Sequence, residues 1–365
     1  MGRNDRALIL LIDDLEQFLN PLVERLQGLF SASSVRVAGW VPTREDGDPE
    51  KKLDDYFNEG LAFVVTDFDL TRRGMGGFQG PAVQNWCHRR LIPVGDFSRR
   101  GRDRVATEPD LFQIRVPVKS DGVAATYIEA VFSGFRDIRE WLEAPRMPGR
   151  SLSAVTADLI GRSDLEAEVS LYFSRLVTSN SAIRDHLVSV GDDKDESTTL
   201  DIMAYVVGHA LLNLVIAFPG PILSRKILAA YLATTEEDAA LFVETVKLRP
   251  YDGPFGRTQP LVWREDVDTA LAVAVGEEPP ELEDPWANYN RFALGRVLGR
   301  EPSRHACERA GCEGKRGGYW CPFKTRTVCI RDDCSTSARA WIPDGADLCR
   351  VEADFFETFE PLLGL

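Results

Sequence analysis

Two groups of residues in this chain have types and spacings that could do chemistry. The first is acidic. The apolar run "LLI" ends on Asp13 and Asp14, and the run "FVVT" ends on Asp67, with Asp69 two residues on. Carboxylates from two neighbouring strands supply the oxygen ligands that a hard cation such as Mg²⁺ takes. An aspartate beside that cation could accept a phosphoryl group, because the metal offsets the charge of the phosphate oxygens. Asp and Gly also end strands for local reasons, as turn formers, and that is the bland alternative.

The second group is made of thiols. Of seven cysteines, Cys87 stands alone and the others lie between Cys307 and Cys349, spaced Cys307-x4-Cys312-x8-Cys321-x7-Cys329-x4-Cys334-x14-Cys349. The hairpin-like stretch "GYWCPFKTRTVCI" separates two C-x4-C pairs. Folding it brings four thiolates together, and a tetrahedron of thiolates suits structural Zn²⁺. The first choice of ligands is Cys307, Cys312, Cys329 and Cys334, with Cys321, Cys349 and His305 as alternates. Thiolates serve iron–sulfur clusters too, and buried free thiols are the reading without a metal. Cys87 and His88 are neighbours on one helix, so their side chains diverge and form no nucleophile–base pair.

The elements that must position these groups are legible as patterns. Residues 6–143 alternate apolar runs with helical periodicity: "ALILLI", "VRVAGWV", "AFVVT", "LIPVGDF" and "FQIRVPV" read as strands, with helices between and after them. Continuous apolar strands separated by helices predict an α/β fold with a doubly wound, five-stranded parallel sheet. Pro21 should bend or interrupt the first helix. Pro117 puts the fifth strand at an edge. In such a sheet, ligands sit beyond the carboxyl ends of the strands, which is where Asp13, Asp14, Asp67, Asp96 and Ser98 fall. A linker, "APRMPGR", leads into a mostly helical region, 151–285, and a Cys-rich module with a closing helix occupies 286–365.

Taken in order, these stretches resemble a response-regulator receiver domain over residues 6–143. "LLIDD" is similar to the family's first strand and its metal-binding acid pair, here Asp13 and Asp14. "VVTDFDLTRRGMGG" is similar to the segment around the phospho-accepting aspartate. The resemblance gives that role to Asp67 and a backbone metal contact to Asp69. "IPVGDFS" places Ser98 at the family's switch hydroxyl. The resemblance implies a flavodoxin-like fold, Mg²⁺ and an upstream sensor kinase. Three departures bear on it. Thr71 stands where the family has proline, the loop to Gly77 is longer, and Val116 stands before Pro117 where the family has a phosphate-holding lysine. Arg115 and Lys119 are near in sequence but out of place. The acids thus serve either a phosphorylatable receiver or a binding-only one. Arg72, Arg73, Arg99, Arg100, Arg102 and Arg104 follow the third and fourth strands, a rim suited to an anion or an acidic partner.

The formal net charge of −14 opposes unspecific binding to nucleic acid. The most apolar window, Ile202 to Phe218, is shorter than the ~20 residues a bilayer takes and carries His209 and Asn213. It reads as a buried helix. With no secretory pattern at the start, a cytoplasmic location is the expectation. Residues 222–265 could form a helix-turn-helix with a β-wing, but Glu236, Glu237, Asp238 and Glu244 make the second helix acidic, whereas a helix facing DNA should be neutral to basic. The leading expectation is a signalling or adaptor protein whose helical and zinc regions dock protein partners. A DNA-binding regulator is the first alternative. A phosphatase-like enzyme using Asp67 is a weaker one, because no general acid is identifiable.

Overall fold

The computed structural model describes residues 7–71, 78–97, 112–144, 151–173, 196–276, 287–304, 307–309, 311–312, 318–338 and 342–359. The chain divides into two compact units. The first takes the described residues of 1–149 and 176–209, the second those of 150–175 and 210–365. The helical stretch 151–285 therefore contributes to both, and most of it shares a unit with the Cys-rich stretch 286–365.

The first unit is an α/β unit built on a five-stranded parallel sheet. Its strands are β1 (Leu8–Ile12), β2 (Arg36–Trp40), β3 (Leu61–Thr66), β4 (Val94–Asp96) and β5 (Ile114–Arg115), in the order β2-β1-β3-β4-β5. Each residue of β1 is buried, as a strand covered on both faces must be. β5 sits at the edge, two residues before Pro117. Helices α1 (Glu16–Leu29), α2 (Pro49–Asn58), α3 (Gly80–His88) and α4 (Asp121–Glu143) accompany the sheet. Contrary to expectation, α1 runs through Pro21. The ring lies on the exposed face in the second turn, while Leu19, Leu22 and Leu26 face the core. Asp48 caps α2 by accepting the Glu50 N–H, followed by Pro49 at the first helical position. Ser120 caps α4 through the Val123 N–H.

The chain runs from β1 outward to β2, then returns to β3 on the other side of β1. The strand order therefore reverses between β1 and β3. The crevice beyond the carboxyl ends of those two strands is the place where an open α/β sheet binds ligands.

The apolar window from Ile202 begins in the helix Glu196–Ala210 and runs on into a π-helical turn, Leu211–Val215. Within the first unit, Tyr205 stacks on Phe112 with ring centroids 5.8 Å apart, and Phe135 packs edge-on against His209 at 5.1 Å. His209 is buried as the sequence suggested, and burial followed by the charge of His88 holds it neutral, well below the usual imidazole range. Among the described residues, no helix is long and apolar enough to cross a membrane.

In the second unit, β6 (Ile222–Ser224) pairs antiparallel with β7 (Leu261–Trp263), and Pro250 makes an antiparallel bridge to Val262. Between them lie the helices Arg225–Tyr231 and Glu236–Val246, the second capped by Thr235, as its sequence indicates. Asp238 turns inward from that helix. It accepts from the Ser303 N–H at 2.6 Å and pairs with Arg300, whose guanidinium holds its carboxyl down to about 2. Glu236, Glu237 and Glu244 remain on the exposed face. The Cys-rich segment folds as a hairpin, β8 (Tyr319–Cys321) against β9 (Arg326–Val328), next to a second antiparallel pair, β10 (Ser335–Thr336) and β11 (Val351–Glu352). Arg326 pairs with Glu352, which is buried, and so ties the two strand pairs together.

Candidate functional site

The acids converge because two parallel strands end side by side. Ile12 lies opposite Thr66, and the Asp67 N–H continues that ladder by donating to the Ile12 carbonyl at 2.9 Å. The Asp13 N–H donates to the Trp40 carbonyl on the other side, at 3.3 Å. Asp13, Asp14 and Asp67 then bring carboxylate oxygens within 4.8 Å of one another. Asp13 and Asp14 are buried, and Asp67 is half-buried. An octahedral cation at ~2.1 Å from its ligands needs oxygens about 3 Å apart, so small rotamer changes would close the group around one ion.

Local hydrogen bonds orient two of the carboxylates. One oxygen of Asp13 accepts the Leu15 N–H at 2.8 Å, and one oxygen of Asp67 accepts the Phe68 N–H at 2.8 Å. The Asp69 side chain instead closes a turn, accepting from the Thr71 N–H at 3.1 Å and the Thr71 hydroxyl at 2.6 Å. It is not among the grouped carboxylates.

The electrostatics are those of crowded carboxylates. Burial, then the charges of Asp13, Asp14 and Asp96, push Asp67 up to about 7, against the Phe68 N–H, which pulls the other way. Asp96, at the end of β4, adds its charge without joining the three grouped carboxylates. The Gln113 amide donates to it at 3.3 Å. Val116 is buried, and its N–H donates to the Asp96 carbonyl at 2.8 Å. An apolar side chain thus stands where the resemblance calls for a cation, while Arg115 and Lys119 are exposed. Ser98 and the arginines Arg72, Arg73, Arg99, Arg100, Arg102 and Arg104 lie outside the described residues.

The Gly-rich segment returns to the site at Gly80. Its N–H donates to the Phe68 carbonyl at 2.9 Å, and a Cβ there would collide with the Asp67 carbonyl and sit 2.9 Å from the Phe68 Cα. Both neighbours are backbone and cannot swing away. Gly80→Ala is therefore expected to cost about 1–3 kcal/mol of stability, the usual penalty for overpacking. It should also weaken divalent-cation binding, because the displaced backbone is that of Asp67. Chemical denaturation and a Mg²⁺ titration of the variant check both.

The thiol group is the second candidate site. Cys307, Cys312, Cys329 and Cys334 place their sulfurs within 4.8 Å of one another, and Cys312 and Cys329 are 3.5 Å apart. A tetrahedral ion with Zn–S bonds of ~2.3 Å needs sulfurs about 3.8 Å apart, so the donor set fits. The β8–β9 hairpin carries Cys329 just past its second strand, and a turn closed by the Cys334 N–H on the Arg331 carbonyl carries Cys334. The Glu308 N–H donates to the Thr327 carbonyl at 3.0 Å, which lays Cys307 beside the same hairpin. Burial raises the Cys307 thiol, and backbone N–H groups of Arg309 and Cys329 favour its thiolate form against that trend. Cys334 is pushed well above the ordinary thiol range by burial and then by the neighbouring cysteines.

Cys321 and Cys349 stay outside this group. The Cys321 sulfur accepts the Glu352 N–H at 3.4 Å, and Cys349 follows Leu348, whose carbonyl accepts the Trp320 N–H. His305 lies outside the described residues.

No protein-family model, no curated protein and no solved structure matches this chain.

Proposed function

We propose that this chain is a signalling or adaptor protein in which a receiver-like domain offers a divalent-cation pocket and a thiolate-bound zinc ion stabilises a protein-docking second unit. The observation that carries the reading is the position of Asp13, Asp14 and Asp67 at the reversal point of a β2-β1-β3-β4-β5 sheet, with Val116 buried in place of a lysine. Clustered carboxylates repel one another unless a cation intervenes. Mg²⁺ is the cation whose ligand preference they meet. A positioned donor to a developing oxyanion is worth ~10²–10³ in rate. Without the lysine, Asp67 handles phosphate poorly, and the pocket works by binding. An upstream kinase, a cytoplasmic location and docking through the acidic helix Glu236–Val246 belong to the same reading.

The test is incubation with acetyl phosphate and Mg²⁺, read by intact mass. Little stable aspartyl phosphate should form on the native protein. Val116→Lys should raise the initial rate by roughly tenfold or more, since it returns part of that donor's effect. Rapid, near-complete phosphorylation of the native chain at Asp67 would show an ordinary phospho-receiver instead.

A DNA-binding regulator is the second reading, favoured by the β6–helix–helix–β7 order and the Pro250–Val262 bridge, an arrangement compatible with a wing. The exposed Glu236, Glu237 and Glu244 oppose it. Titration with random duplex should give no binding tighter than the non-specific range of ~10⁻⁴ to 10⁻⁶ M. Sequence-selective nanomolar binding would replace the adaptor reading.

A further inference from the structure

The first unit has a cavity at the opposite end of its sheet from the acids. It opens beside the amino ends of the strands, at Ala7 before β1, Val35 before β2, Leu61 at the start of β3 and Pro93 before β4. The second half of α4 and the helix Glu196–Ala210 close its sides. The volume is about 190 Å³. An apolar cavity of ~150 Å³ takes up a benzene ring, so this one holds a ring with a short substituent.

Its lining combines two chemistries. Phe57, Phe132, Phe135 and Ile92 make an apolar, mainly aromatic interior. Three guanidinium groups, Arg90, Arg136 and Arg139, stand against two acids, Glu140 and Asp201. A cationic excess is unusual on a chain of net charge −14. Two of the three arginines are held in place. Arg90 pairs with Asp54 at 2.7 Å and lies 4.2 Å over the Trp86 ring, while Arg139 pairs with Glu143 and Asp201. Arg136 has a looser attachment, an exposed pair with Glu140 at 3.5 Å, one turn along the same helix. It is the group best able to turn to a ligand.

Leu91 lies on the cavity wall. After α3, the Leu91 N–H donates to the His88 carbonyl and the Ile92 N–H to the Cys87 carbonyl, the two bonds of a Schellman turn. That turn puts Leu91 in the left-handed region, with φ of 56°, where glycine is favoured. The turn itself accounts for that conformation.

We infer that this cavity is a binding site for a small aromatic carboxylate, with the ring among the phenylalanines and the carboxylate on Arg136. Few polar groups placed around an apolar interior are what such sites require. Arginine matches a carboxylate in shape as well as charge. The inference rests on the cavity alone and is independent of the reading given to the acids at the other end of the sheet.

The probe is phenylacetate, titrated into the full-length protein by calorimetry. The controls are phenylacetamide, which keeps the shape and loses the charge, and hexanoate, which keeps the charge and loses the ring. Phenylacetate should bind with Kd on the order of 10⁻⁴ M, as expected for so few heavy atoms. Phenylacetamide, hexanoate and the Arg136→Gln variant should each bind at least tenfold more weakly. The Arg136 side chain is partly exposed and its ion pair with Glu140 is a surface one, so Arg136→Gln keeps the fold, and a thermal melt of the variant confirms it. Absence of binding at 10 mM phenylacetate (~10²-fold above the expected Kd) overturns the inference. So does equal binding of either control, or unchanged affinity in Arg136→Gln.

Discussion

Protein purified without added metal is expected to carry near-stoichiometric zinc, and Cys329→Ser or Cys334→Ser is expected to lose it and to unfold the second unit. Both sulfurs are fully buried in the four-sulfur group, so neither has water to replace a missing partner. Zinc held by four thiolates contributes ~10–16 kcal/mol in small zinc domains, more than the entire stability of most domains. Cys349→Ser is the control. It too is buried, but it stands outside the group, so its cost is that of a poorly satisfied buried hydroxyl, about 1–3 kcal/mol. Elemental analysis and thermal unfolding with and without a chelator separate the two cases. The chelator should melt the second unit and leave the parallel sheet folded. If the protein has no metal, titrates as free thiols throughout, and loses the same small stability in all three variants, the zinc reading fails.

In metal-free protein at pH 8, Asp67→Asn is expected to stabilise the first unit, and by pH 4 the advantage should vanish. The sign follows from the direction of the shift. Asp67 sits at about 7 in the folded chain, above the ordinary value of 3.8. The folded state therefore holds a proton that the unfolded state has released. This favours folding fully below pH ~4, and the contribution is lost as pH rises from there through about 7. Taken whole, a shift of that size is ~4 kcal/mol. Asp67 is only half-buried, so water screens it, and a gain of about 1–2 kcal/mol for the asparagine at pH 8 is the reasonable expectation. Mg²⁺ should reverse the ranking at pH 8 by stabilising the native protein and not the variant. Its affinity should fall as pH drops below 7, because the proton and the metal compete for one carboxylate. Thermal melts across pH 4–8, with and without Mg²⁺, read all of this. A flat pH response identical in both proteins would show that the acids do not interact.

The amino-acid sequence alone was enough for the elements and for one end of the sheet. Runs such as Leu8–Ile12 and Leu61–Val65 are apolar throughout because both faces of a central parallel strand are covered, and that pattern needs no tertiary information to recognise. Once those runs are strands of one parallel sheet, Asp13, Asp14 and Asp67 must share an edge, since each directly follows its strand. Caps such as Thr235 are local chemistry: a hydroxyl directly before Glu236, Glu237 and Asp238 marks a helix start without tertiary information.

Tertiary structure decided what depends on partners distant in the chain. Spacing put Cys307, Cys312, Cys329 and Cys334 first among the six cysteines between Cys307 and Cys349, but left Cys321 and Cys349 as alternates. The selection was made by the β8–β9 register, which carries Cys329 and Cys334 to one cluster, while Cys321 meets the Glu352 N–H instead. Pro21 did not interrupt α1, and its ring lies on the exposed face. An apolar helix does not encode which core it covers, and only packing against Phe112 and Phe135 assigned Tyr205 and His209 to the sheet unit. The cavity at the far end of the sheet was invisible for the same reason. Its walls come from segments between Ala7 and Tyr205, brought together by long-range packing, and no local pattern records that meeting.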